Sequence, residues 1–115
     1  MTYFSDARKA IEEMRKGNPR NVEFVIRFLE KDEYKFGTGY IKEDIWRNLK
    51  RVSLTESQKE RIRKVAFQYL LKGMRREFWY MCRFIRHIAN DTFQSQVQQY
   101  IKSEQADVKW KALIL

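Results

Sequence analysis

The residues best suited to chemistry lie in one stretch, Arg75-Arg76-Glu77-Phe78-Trp79-Tyr80-Met81-Cys82-Arg83-Phe84-Ile85-Arg86-His87. Read as a helix at about 100° per residue, it places Phe78, Cys82, Ile85 and Ala89 in one narrow arc, the expected core seam. Arg76, Tyr80, Arg83 and His87 fall on the opposite side. Two guanidiniums, a phenol and an imidazole in one line suit phosphate or carboxylate, because arginine offers a fixed fork of donors to a planar anion. The plain alternative is a wet helix face that happens to be basic. Trp79, Tyr80 and Phe84 interleave with the arginines. Interleaving allows stacking on exposed nucleic-acid bases, and it equally describes the edges of a core helix.

A second basic stripe, Arg61, Lys64, Gln68 and Lys72, falls off the apolar face of the preceding helix. The short 72–75 link makes these two helices a hairpin, which would let both stripes share one surface. Arg47, Lys50 and Arg51 extend it. The candidate anion-binding set is therefore Arg47, Lys50, Arg51, Arg61, Lys64, Lys72, Arg76, Tyr80, Arg83 and His87.

Charge distribution points the same way. Residues 1–46 carry nine Lys/Arg and nine Asp/Glu, and residues 91–115 carry three of each. Residues 47–90 carry twelve Lys/Arg against Glu56, Glu60 and Glu77, so the whole net charge of +9 sits there. Like charges in one region repel in the folded state, and an anionic partner relieves that repulsion. A solvated basic surface is the bland alternative.

Catalytic patterns are absent. The single His87 has no acid within one turn of it to make a metal site or an orienting pair. Cys82 points into the expected core, on the far side of its helix from His87, and reads as a small buried hydrophobe. The pairs Glu12-Glu13, Asp32-Glu33 and Glu43-Asp44 are adjacent in sequence, so on a helix they diverge by about 100° and share no proton. No enzyme activity, metal or cofactor is expected. Gly37-Thr38-Gly39 is a weak phosphate-cradle signal without its strand and further glycines, and a turn needing positive φ explains it better.

The elements that must hold these residues are helices. With Gly 4 and Pro 1 in 115 residues, the turns of a sheet protein are missing, while 43% hydrophobic residues suffice for one core. A single all-α domain is expected, with six or seven mostly antiparallel helices in a bundle or a short helical-hairpin array. Ala7, Ala10, Ile11 and Met14 mark the first helix, capped by Ser5 or Asp6 and stopped at Gly17. Asn18-Pro19 opens the second, with Val22, Val25, Ile26 and Leu29 inward. A loop is expected over 32–39. The third helix spans about 40–52, with Ile41, Ile45, Trp46 and Leu49 inward. Ser53…Glu56 or Thr55…Gln58 forms a capping box for the fourth, which runs to about Gly73. The Lys50-Arg51-Val52-Ser53 run also resembles a basophilic kinase site, and capping explains the serine more simply. The fifth helix spans about 75–89, and the sixth runs from Asn90 or Asp91 to about Ser103. Val25–Leu29 and Met81–Ile85 share a five-residue pattern, but no fixed repeat period is present.

The terminal Trp-Lys-Ala-Leu-Ile-Leu must bury its apolar side chains, on its own core or on a second copy as a homo-oligomer. No signal-peptide pattern and no membrane-length apolar run is present, which fits a cytoplasmic protein. The expected function is a non-enzymatic binding or scaffold module whose basic face over residues 47–87 docks an anionic partner, an acidic protein surface or nucleic acid. Nucleic-acid binding and homo-oligomeric structural assembly are the alternatives.

Overall fold

Apolar residues spaced three and four apart drive each segment to coil and bury one stripe. The computed structural model describes residues 3–32, 38–72, 75–102 and 105–115. These form an all-α bundle: α1 (Tyr3–Arg15), α2 (Val22–Lys31), α3 (Thr38–Asn48), α4 (Glu56–Leu70), α5 (Phe78–Ile88), α6 (Asp91–Ile101) and α7 (Ala106–Ile114). Tight 3-10 turns at Pro19–Asn21 and Leu49–Arg51 precede α2 and follow α3.

Local chemistry sets most boundaries. Gly17 takes φ 80°, the left-handed conformation that closes α1. The Asn18 side chain accepts from the Arg20 N–H at 3.0 Å and donates to Glu13 at 2.7 Å. α1 starts at Tyr3, so Ser5 and Asp6 lie within its first turn instead of capping it. Of the two capping boxes, Thr55…Gln58 forms: Gln58 N–H donates to Thr55 Oγ1 at 3.1 Å, and Thr55 N–H donates to Gln58 Oε1 at 3.0 Å. Thr55→Ala is therefore expected to lower stability by about 1 kcal/mol, read as a lower urea midpoint at unchanged slope.

Two expectations about boundaries need correction. Thr38 and Gly39 belong to α3 and not to a loop; a Cβ at Gly39 would meet Arg76 Cδ at 3.1 Å, so its smallness makes room for that side chain. The rest of the expected loop, residues 33–37, lies outside the described residues, as do the expected ends at Gly73 and Ser103. α5 starts at Phe78, leaving Arg75 and Arg76 before the helix. Both arginines are held by acids from other elements, which fixes the chain before it coils.

The core runs through α1 to α6. Trp46, 1% exposed, meets the rings of Tyr69 and Phe84 at centroid distances of 6.2 and 6.0 Å. Arg63 is buried in α4 and donates to the Ile88 carbonyl at 2.7 Å, satisfying the C-terminal end of α5. A smaller cluster of Leu70, Val108 and Ala112 docks α7 on α4, where Lys111 Nζ donates to the Lys72 carbonyl. In the C-terminal apolar run Ala112 is buried, Ile114 and Leu115 are partly buried and Leu113 is exposed, while the Trp110 side chain lies outside what the structure describes. Among the described residues no helix is long and apolar enough to cross a membrane.

Candidate anion-binding cleft

On α5, Tyr80, Arg83 and His87 stand at i, i+3 and i+7 and share the face turned away from buried Met81, Cys82, Ile85 and Ile88. α3 packs against α5 and ends in the 3-10 turn 49–51, which delivers Arg47, Lys50 and Arg51 to the same place. The end of α1 adds Arg15. An ideal Cβ at Gly17 would lie 3.6 Å from the Arg51 carbonyl, which shows how closely the α1–α2 turn approaches this one. The result is a cleft of about 420 Å³ bounded by Arg15, Arg47, Lys50, Arg51, Tyr80, Arg83 and His87, with Trp46, Asn48 and Phe84 in its wall.

The cleft is electrostatically unbalanced. Its one acid, Asp44, pairs with Arg8 at 2.5 Å, and Arg15 pairs with Glu12 at 2.6 Å. Among the described residues, Arg47, Lys50, Arg51 and Arg83 form no ion pair with a carboxylate. The Arg47 and Arg83 guanidiniums each lie over the Tyr80 ring, 5.6 Å from its centroid. A concave wall of low polarisability concentrates the field of such charges toward an entering anion.

Six of the ten residues singled out in sequence meet here: Arg47, Lys50, Arg51, Tyr80, Arg83 and His87. The other four do not. Arg61 faces α2 and is engaged by Glu23 and Glu30, whose hydrogen bonds raise its pKa further. Lys72 pairs with Asp32. Arg76 pairs with Glu43 at 2.8 Å and covers the Tyr40 ring at 3.9 Å. Lys64 is exposed on α4 and does not line the cleft. The expected shared surface of α4 and α5 fails because α4 turns Arg61 to α2, while Arg76 is not on a helix at all. Arg15 was missed, since only tertiary contact joins it to residues more than thirty positions away.

Acids of the neutral N-terminal block thus pair Arg61, Lys72, Arg75 and Arg76, while Arg47, Lys50, Arg51 and Arg83 of the cleft have no carboxylate partner among the described residues. Asp32 is the hub of that neutralisation. It ends α2 with φ 51°, left-handed for a non-glycine, and its carboxylate is 8% exposed. Lys42 at 2.5 Å, Lys72, and Arg75 at 2.6 Å converge on it from three segments. Burial alone would raise the Asp32 pKa; the hydrogen bonds from Lys42 and Lys72 outweigh it and hold the carboxyl below its ordinary value. Lys42 is 0% exposed, a burial that its sequence position beside Ile41 gave no sign of. Nearby, Tyr69 O–H donates to buried Glu77 at 3.2 Å.

Cys82 is buried in the core seam, and burial pushes its thiol up to about 12. An aromatic disulfide reagent at neutral pH is expected to modify it only as fast as the chain unfolds, a rate that should follow added urea. His87 makes no hydrogen bond among the described residues. Among those residues no three His, Cys, Asp or Glu side chains gather as a metal site. No protein-family model, curated protein or solved structure matches this chain, so the cleft's own geometry is what speaks to function.

Proposed function

We propose that this protein is a non-enzymatic binding module that docks an anionic group in the cleft between α3, its following 3-10 turn and α5. The observation that carries the reading is the gathering of four cations without carboxylate partners in one concavity. Arg61, Arg63, Lys72, Arg75 and Arg76 all have carboxylate partners, while Arg47, Lys50, Arg51 and Arg83 face one concavity with none among the described residues. Arginine forks suit planar or tetrahedral oxyanions, and concave placement raises both association rate and affinity. The non-enzymatic reading rests on His87, which lacks the oriented partner a general base requires.

Titration of labelled polyglutamate at about 50 and about 200 mM salt tests it. Affinity should fall at least tenfold over that span as the charges are screened. Binding indifferent to salt, or none at low salt, would contradict the proposal.

A further inference from the structure

The charged cleft does not stand alone. A second hollow of about 320 Å³ adjoins it and shares Lys50, Phe84 and His87 with it. Its remaining wall is mixed: Leu54 is partly exposed, Leu49, Val52 and Ile88 lie mostly buried behind it, and Ser53 and Lys59 complete the lining. A ligand reaching across both would meet clustered guanidinium and ammonium groups first and the partly exposed Leu54 side chain next.

We infer that the occupant is an acidic polypeptide segment in which an apolar side chain stands beside the carboxylates. This rests on the anion-docking reading above and narrows it to one class of partner. The carboxylates meet Arg47, Lys50, Arg51 and Arg83. The neighbouring apolar side chain enters the hollow lined by Val52, Leu54 and Ile88.

Two observations disfavour nucleic acid as that occupant. Single strands are held by open aromatic faces on which bases stack. Here Trp46 and Phe84 are buried, and the Tyr80 ring is occupied by Arg47 and Arg83. Among the exposed aromatics of the described residues, Tyr40 lies under Arg76, and Trp79 lines neither hollow. A nucleic acid also spreads phosphates along a track. Of the cations beyond the cleft, Arg61, Lys72 and Arg76 are already paired, and Lys64 and Arg86, unpaired among the described residues, line neither hollow. A short acidic segment needs only the compact cluster that remains.

The test uses the full chain and three fluorescein-labelled probes of equal charge: six acidic residues around a central leucine, the same peptide with glycine for leucine, and a mixed-sequence single-stranded DNA. The leucine peptide should bind about tenfold more tightly than the glycine peptide, as expected for a leucine side chain leaving water. It should also bind more tightly than the DNA. Leu54→Asn should bring the two peptides to equal affinity, with its melt recorded alongside to separate this from loss of fold, and a leucine advantage that survives in a folded variant would overturn the inference. Equal affinity of the parent chain for both peptides would overturn the inference and leave anion docking standing. Preference for the DNA would also overturn it. Failure of all three probes would remove both readings.

Discussion

Asp32→Asn is expected to destabilise the fold by on the order of 3 kcal/mol, the scale of breaking a buried ion pair by removing one partner. Asparagine keeps the shape and tolerates the left-handed conformation at φ 51°, so the change isolates the charge. What remains is Lys42 at 0% exposure, with Lys72 and Arg75 beside it, repelling one another where Asp32 had held them together. The cost is kept below the upper end of the range because Lys72 is 30% exposed and turns partly to water. The pH dependence follows from the depressed carboxyl. Its stabilisation is complete above the ordinary value of 3.8 and is lost as pH falls through the lower folded value. Urea unfolding at neutral pH and across the acid range measures both effects. Asp32→Asn should lower the midpoint and flatten the acid limb. A loss under about 0.5 kcal/mol, the usual size of a surface change, would mean that the cluster does not tie these elements together.

The second large effect concerns binding and not stability. Lys50→Glu, Arg51→Glu and Arg83→Glu together should weaken polyglutamate at least about 100-fold, because attraction becomes repulsion at three neighbouring points. A matched triple, Arg20→Glu, Lys64→Glu and Lys102→Glu, takes the net charge from +9 to the same +3 at exposed positions outside the cleft. It should cost less than about tenfold, the long-range part of the field. Both triples should melt close to the parent, since these cations are exposed and form no carboxylate ion pairs among the described residues. Equal losses in the two triples would assign binding to net charge and not to the cleft.

Helix positions and core stripes were legible in the sequence because apolar spacing is a local property. Ala7 to Met14, Val22 to Leu29 and Ile62 to Leu70 bury the faces that their periodicity marks. The basic face was half legible. Tyr80, Arg83 and His87 stay on one helix, so their spacing sufficed. Arg61, Lys72 and Arg76 looked equivalent to them, because a sequence shows no pairing: nothing local says that Glu23, Glu30, Asp32 and Glu43 reach these cations from tens of residues away. The start of α5 was misplaced for the same reason, since anchoring of Arg75 and Arg76 decides it. The neutral charge of residues 1–46 concealed their part in the charge pattern. Those acids pair Arg61, Lys72, Arg75 and Arg76, which narrows the clustered unpaired cations of residues 47–90 to one cleft, while Lys64 and Arg86 stay exposed outside it and unpaired among the described residues.

The most direct test of that confinement is an amide-proton correlation spectrum of isotope-labelled protein titrated with unlabelled polyglutamate. Shifts should concentrate at residues 47–51 and 80–87, with Arg15 following and α6 still. Shifts centred on Arg61, Lys64 or α7, or spread evenly over the surface, would contradict a single anion-docking cleft.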